Sequence, residues 1–588
     1  NHQVFYKDNW HQCPIFDPET LNKEEEGPCL LLGGNTSLFI PPHWKIRNLS
    51  TGEFLIEKEN LNFKDVKKEV SLLRPDPVLI ELFNNRYLSI AEQMGLTLEK
   101  TSMSVNIKER LDFSCALFDK QGNLLSNAPH IPVHLGSMED SVKSIINSFK
   151  TSMIHGESFL HNDPYNGGTH LPDMTVITPF FIGNSKQPSF FVASRGHHAD
   201  IGGITPGSMP SSSQNIREEG ILIKGAKIVS NGQLQEKLLE KLFLEETQYP
   251  TREFNLNLAD IKAKIAANQL GIKKLNEFIN QYDENLILKY ADFLQENASQ
   301  SVQELIDTLE EGEFSCPIDN GSLIKVKITP NKKEKTLTID FTGTSKISRD
   351  NFNAPFAVTK ASILYVIRVL LKKNIPLNSG CLRPLDIIIP PHSLLSPKEP
   401  HAVVAGNVET SQIIVDALFG ALGILSGSQG TMNNLTFGNK SFQYYETICG
   451  GSGAGNGFNG EDAVHTHMTN SRITDPEILE EKFPILLEEF SIRKGSAGKG
   501  NFTGGNGVKR KIKFLQKMDV SLLTGRRKFS PHGLLGGEPA LPGKNILNPK
   551  SGNAIELPST ATITVHPEDK LTIETPGGGG WGTPGHQN

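Results

Sequence analysis

The chain has 588 residues, of which 37 % are hydrophobic and 21 % charged, with a net charge of −6. At about 150 residues per domain this length allows roughly four units, and the composition suits a soluble globular protein. The interspersed charges exclude a basic stripe for nucleic acid. No apolar run is long enough for a bilayer span, and none resembles a secretion signal.

Residues 1 to about 60 read as short β segments with turns, such as the run from Cys29 and the turn Ile40-Pro-Pro-His-Trp44. A charged bridge, Glu57 to Glu69, should separate this small appendage from the rest. A helix is expected next: Asp76 caps it and Pro77 takes its first position. Leu79, Phe83, Tyr87, Ile90 and Met94 form its apolar face, and Gly95 suits its stop. Val176 to Phe181 and Phe190 to Ala193 read as buried strands among glycine-rich loops. Ile261, Ile265, Ile272, Leu275, Ile279, Tyr282 and Leu286 are spaced as one long amphipathic helix, a scaffold element. Leu323 to Thr329 and Leu337 to Phe341 form an expected hairpin. Ala402 to Ala405 reads as a strand and Glu409 to Leu425 as the helix after it. From about residue 490 short strands and glycine turns dominate, so the whole is a mixed α and β protein with a β-rich end.

The chemistry concentrates between His161 and Asp200. His161, Asp163, His170 and Asp173 share a glycine-interrupted loop, and Ser194-Arg-Gly-His-His-Ala-Asp200 follows the strand from Phe190. Histidine and carboxylate ligands suit manganese, iron, zinc or magnesium. His170-x-x-Asp173 puts two ligands in one turn, which Pro172 keeps from becoming helical. A third ligand from the neighbouring strand end would leave open positions for water or substrate. His197 and His198 must point in different directions, so one is expected to bind metal directly. We take His198 for that role and His197 for a supporting hydrogen bond.

Other segments point less sharply. Gly450 to Gly457 lacks the lysine of a phosphate loop. His465 and His467 lie on one side of an extended segment, serving either a pocket or the core. Gly577 to Gly580 is a tight turn. No GxSxG elbow is present. The six cysteines stand singly, without a CxxC pair, which fits a reducing cytoplasm.

Taken together these runs resemble the hydantoinase B family, and within it the B-type half of ATP-dependent 5-oxoprolinases. The resemblance rests on Asn106 to Cys115, Pro132 to Met138, Val192 to Pro210, Gly406 to Gln412, Tyr444 to Thr447, His467 to Glu477 and Thr575 to Trp581. It implies a large hydantoinase B-type fold over residues 63–588 and the tail of a hydantoinase A-type domain over 1–62. It also implies that ATP is used by an A-type half largely outside this chain, a fragment expected to be inactive alone. The reaction implied is 5-oxoproline, ATP and water to glutamate, ADP and phosphate, with this half opening the phosphorylated lactam. By the resemblance, His170, Asp173 and His198 would hold Mn²⁺, Mg²⁺ or Zn²⁺. Asp163 or Asp200 would act as general base or support the ligands, and Arg195 would hold a substrate carboxylate. A homo-oligomer in the cytoplasm is expected. The competing expectations are a hydantoinase or acetone-carboxylase-type subunit with another substrate, and a non-catalytic scaffold partner.

Overall fold

The computed structural model describes residues 2–58, 75–371 and 377–585, apart from positions 7–8, 19, 22, 34–35, 50–52 and 135. The charged bridge expected from Glu57 onward, and with it the expected boundary at residue 62, falls largely on positions 59–74, outside the described residues. The chain divides into two compact units, Asn1–Asp76 with Ile279–Ile287, and Pro77–Phe278 with Leu288–Asn588. In the first, short strands pair into one two-stranded and two three-stranded sheets. Leu21, Cys29, Leu31, Ile40 and Ile46 form its small core.

A seven-stranded antiparallel sheet dominates the first part of the second unit. Its strands are β1 (Phe113–Asp119), β2 (Leu124–Asn127), β3 (Ser158–His161), β4 (Asp173–Phe180), β5 (Phe190–His197), β6 (Lys224–Ser230) and β7 (Gln233–Leu234). Their order is β2-β1-β5-β4-β3-β6-β7. Every residue of β4 and β5 is buried, because both faces of the sheet are covered. Helix α1 is Pro77–Thr101, α2 is Ser137–Phe149 and α3 is Phe254–Gln281. Val142 and Ile145 of α2 pack on Ala116, Phe159, Ile177 and Ala193 of one face. On the other, Tyr87 of α1 lies against Phe190, and Asn268 of α3 donates to the Val176 carbonyl at 3.0 Å.

Three expectations about these elements change. Gly95 does not stop α1, which runs on to Thr101. A Cβ at Gly95 would press into the His130 ring, so the glycine serves close packing. The long scaffold helix is two helices, α3 and α4 (Glu284–Ile306), parted at Tyr282 and Asp283. The Asp283 carboxylate accepts the Asn285 N–H at 3.0 Å and starts the second helix. Ala402–Ala405 is not a strand: Val403 and Val404 donate their N–H groups to the buried Glu219 carboxylate. A turn of π-helix, Gly406–Thr410, then leads into a helix over Ser411–Leu422.

The hairpin forms as expected, over Leu323–Asn331 and Thr336–Asp340. Toward the C-terminal end, glycine segments near residues 427, 451–453, 498, 504–505 and 577–580 stack backbone on backbone. Gly578 donates to the Gly505 carbonyl at 2.9 Å, and Gly579 to that of Gly427 at 2.8 Å. A Cβ on Gly578 would land on the Ser452 carbonyl, and one on Gly453 on that of Ser426. These glycines are thus wall material with no space for side chains. No described helix is long and apolar enough to cross a membrane.

Candidate metal centre

Strands β4 and β5 run antiparallel in a register that sets Asp173 directly opposite His197. His170 precedes β4 in a turn closed by the Asp173 N–H on the His170 carbonyl, 3.2 Å. The Leu171 carbonyl in that turn accepts from Asn162 Nδ2 at 2.8 Å. Two histidines and one aspartate therefore meet at the sheet end because strand register and a proline-bent turn bring them there.

His170 Nε2 lies 3.1 Å and His197 Nδ1 3.4 Å from the same oxygen, Asp173 Oδ1. The other oxygen, Oδ2, accepts from Thr169 Oγ1 at 2.7 Å and faces His134 Nε2 at 3.2 Å. His134 Nε2 carries the proton there, since a carboxylate only accepts, and its Nδ1 lies 2.9 Å from Ser114 Oγ. Tyr445 stacks on the His197 ring at 4.5 Å and 12°. All three central residues are at most 2 % exposed.

Burial alone would raise the Asp173 carboxyl, but His170 and His134 outweigh it and hold the group well below its usual range. Burial keeps His197 neutral by lowering its pKa. An ionised carboxylate beside a neutral imidazole is the protonation state a cation needs. His170 Nδ1 and His197 Nε2 are buried and lack hydrogen-bond partners among the described residues, while His170 Nε2 and His197 Nδ1 face the Asp173 carboxylate. Buried polar atoms are seldom orphaned, and His170, Asp173 and His197 each offer a ligand atom, all within 4.8 Å of one another. This donor set fits a divalent ion.

The structure thus gathers His170 and Asp173 with His197, not with His198. His198 turns the other way, its Nδ1 2.7 Å from Asn257 Oδ1 and its Nε2 2.5 Å from Lys264 Nζ. Adjacent strand residues face opposite sides, and the register gives the inner side to His197. Asp163, Arg195 and Asp200 are engaged in holding the scaffold. Asp163 accepts from the Tyr165 N–H and Asn166 Nδ2. Asp200 pairs with Arg252 at 2.8 Å. Arg195, fully buried, donates to Thr175, Ser137 and Ser141 hydroxyls at 2.7 to 2.8 Å, tying β5 to β4 and α2. None of the three lines the cavity over the triad.

That cavity is lined by the triad with Asp112, His134, Asn407, Met432, Tyr445 and Met468 among others, and about 20 Å³ of it is open to a water-sized sphere. This is room for one water or ion. Asp112 and His134 escaped the sequence reading because neither has metal-ligand spacing. Their only trace was the family likeness of the runs that contain them. His465 and His467 do not line the cavity, and His467 Nε2 lies 3.1 Å from the buried Asp416 carboxylate.

Lys264, on α3 behind His198, is fully buried, and burial lowers its ammonium to about 7 despite Asp260 and Asp173. Above pH 7 the folded chain therefore releases a proton that the unfolded lysine keeps to about 10. The unfolded state holds more protons in that window, so stability rises with pH there, with a slope approaching about 1.4 kcal/mol per pH unit. Urea unfolding of metal-free protein at pH 7 and 9 should show this slope reduced by that amount in Lys264→Met.

The sheet, its helices and the site-bearing strand ends define a mixed α/β fold shared with the ATP-dependent caprolactamase of Pseudomonas jessenii. The two superpose with a TM-score of 0.78 at 22 % identity, over 87 % of this chain and 92 % of that one. The Hydantoinase B/oxoprolinase family pattern matches residues 76–584, and the chain belongs to that family. It is 44 % identical to 5-oxoprolinase 1 of Arabidopsis thaliana over 99 % of this chain and 48 % of the relative. To the 5-oxoprolinase of Dictyostelium discoideum it is 43 % identical, over 95 % and 44 % respectively. The chain spans about half the length of these relatives.

Proposed function

We propose that this chain is the ring-opening part of an ATP-dependent 5-oxoprolinase, with a divalent cation held by His170, Asp173 and His197. The observation that carries the reading is the buried triad with its unpartnered imidazole nitrogens. The resemblance to named 5-oxoprolinases supports the substrate. Two imidazoles and one carboxylate suit manganese or zinc better than magnesium.

The cation supplies Lewis acidity and acidifies water. Phosphorylation of the lactam oxygen, carried out by an A-type half, removes the amide resonance that makes the ring carbon a poor electrophile. Asp112, the second carboxylate of the cavity, takes a proton from the attacking water as its oxygen bonds to the ring carbon. The carbon–nitrogen bond then breaks as the new hydroxyl becomes the acyl carbonyl, and the leaving nitrogen takes up both protons of that water, one of them returned by Asp112. A second water hydrolyses the resulting acyl phosphate to glutamate and phosphate.

The test supplies the chain, its A-type half, ATP and either 5-oxoproline or hydantoin. Glutamate release from 5-oxoproline is expected; turnover of hydantoin alone would refute the substrate assignment. Asp112→Asn should keep its metal yet lose on the order of 10²-fold or more in kcat, the scale of general-base catalysis. Loss of metal instead would make Asp112 a further ligand.

A further inference from the structure

His197 brings its nitrogen to the triad on a ring that no hydrogen bond orients. Its main chain is set by the pairing with Asp173 and by its N–H on the Asp112 carbonyl, 3.0 Å. The side chain has no comparable anchor. Nδ1 lies 3.4 Å from Asp173 Oδ1, past the usual reach of about 3.2 Å for a nitrogen–oxygen hydrogen bond. Nε2 has no partner among the described residues. Metal-binding histidines are ordinarily steered by a hydrogen bond from the second ring nitrogen, and neither nitrogen of His197 makes one.

What the imidazole does have is a flat neighbour. Tyr445, in the strand Gln443–Glu446, lies face to face with it, the ring centres 4.5 Å apart and the planes within 12°. His170 meets the same imidazole edge-on, at 5.0 Å and 68°. A parallel ring at this spacing stops the imidazole from tilting, provided that it is itself immobile. Tyr445 is held at both ends. Its hydroxyl donates to Asn434 Oδ1 at 2.9 Å, and Nδ2 of that amide donates to Glu409 Oε1 at 2.8 Å and to the Leu523 carbonyl at 2.6 Å. The Tyr445 carbonyl accepts from Arg110 Nη1 at 2.8 Å, and the same guanidinium carbon lies 4.9 Å from the ring centre.

Resting on the reading of the triad as a cation site, we propose that Tyr445 is the positioning residue of the metal centre. Its ring, in place of a hydrogen bond, holds the His197 imidazole in the plane that aims a nitrogen at the cation. A ligand ring must stay within about 10–20° of its working orientation, so an imidazole free to tilt holds the cation weakly. The stack also responds to loading. A bound cation draws electron density from the imidazole, and an electron-poor ring sits more favourably on the electron-rich face of a phenol.

The test titrates metal-free protein with Mn²⁺ for affinity and with Co²⁺ for ligand geometry, read from the visible absorption bands. Tyr445→Phe keeps the ring and should bind manganese within about 3-fold of wild type, with an unchanged cobalt spectrum. Tyr445→Leu removes the flat face and should weaken manganese binding by about 10- to 100-fold, the scale of a lost orienting partner, and alter the cobalt bands. Tyr445→Met carries the same comparison if the leucine variant fails to fold. In a His197→Ala background the leucine substitution should cost no further affinity, because Tyr445 acts through that ring. Wild-type affinity and spectrum in the leucine or methionine variant would overturn the role of Tyr445 and leave the cation reading standing. So would an equal further loss in the His197→Ala background. A phenylalanine variant as weak as leucine would overturn the stack and move the role to the hydroxyl. Wild type that binds neither ion would overturn the cation reading itself.

Discussion

Replacing Asp173 by alanine will empty the proposed metal site and silence the reaction. Asp173 Oδ1 is the point on which His170 and His197 converge, at 3.1 and 3.4 Å. Its removal deletes the only anionic ligand of the triad and leaves two neutral imidazoles to hold a divalent cation. Loss of mere supporting contacts already costs 10- to 100-fold in metal affinity, so at least about 100-fold is expected here. Thr169, His134 and Asn407 lose their shared acceptor in the same step, so the histidines lose their orientation too. Three measurements check this. Elemental analysis should fall from about one equivalent to a trace, the metal-dependent rise in melting temperature should vanish, and glutamate release with the A-type half should cease. Unchanged metal content and turnover would favour the scaffold reading of this chain.

The second large effect is on stability. Glu446→Ala should destabilise the C-terminal β region by about 3–5 kcal/mol, the cost of stranding a buried charge. Arg510 Nε lies 2.7 Å from Glu446 Oε1 and Nη2 2.9 Å from Oε2, a two-pronged pair at most 1 % exposed on either side. Burial alone would lower the Arg510 guanidinium, but Glu446 overcomes this and raises it. The Tyr444 hydroxyl also donates to Oε2, at 2.9 Å. With the carboxylate gone, the buried Arg510 guanidinium faces the Phe490 ring, 5.1 Å away, with no anionic side chain paired to it among the described residues. A urea midpoint well below that of wild type is expected, with metal still bound by the folded fraction. Glu446→Gln, which keeps one acceptor, should cost less.

How much of this was legible in the sequence differs residue by residue. His170 and Asp173 were legible because their partnership is local: three residues apart with a proline between them, they need only one turn to meet, and the Asp173 N–H on the His170 carbonyl closes it. The choice between His197 and His198 was not, since it depends on which neighbour faces inward, and the pairing of β5 with β4 decides that. Arg195 and Asp200 carried the residue types of a catalytic site, yet their partners are hydroxyls and an arginine that only the folded sheet brings within reach. Gly95 looked like a helix stop because the intruding His130 ring comes from a different loop. Ala402 to Ala405 had the composition of a strand, but two of its N–H groups were claimed by Glu219, nearly two hundred residues earlier. The mixed α and β character, the buried strands and the hairpin were readable from periodicity alone.

The glycine stack carries a consequence for how the sequence can vary and how the chain assembles. Every amino-acid replacement of glycine adds at least a β-carbon, so at positions such as Gly453 and Gly578 no substitution is conservative. This wall cannot drift by small steps the way an aliphatic core does. Its layers also come from chain segments some 150 residues apart, near 427 and 579, joined by main-chain hydrogen bonds and by the Ser426 hydroxyl on the Gly580 carbonyl. Such contacts repay their loop-closure entropy late. The wall is therefore expected to knit after the seven-stranded sheet, whose strands lie closer in sequence, has already brought His170, Asp173 and His197 together.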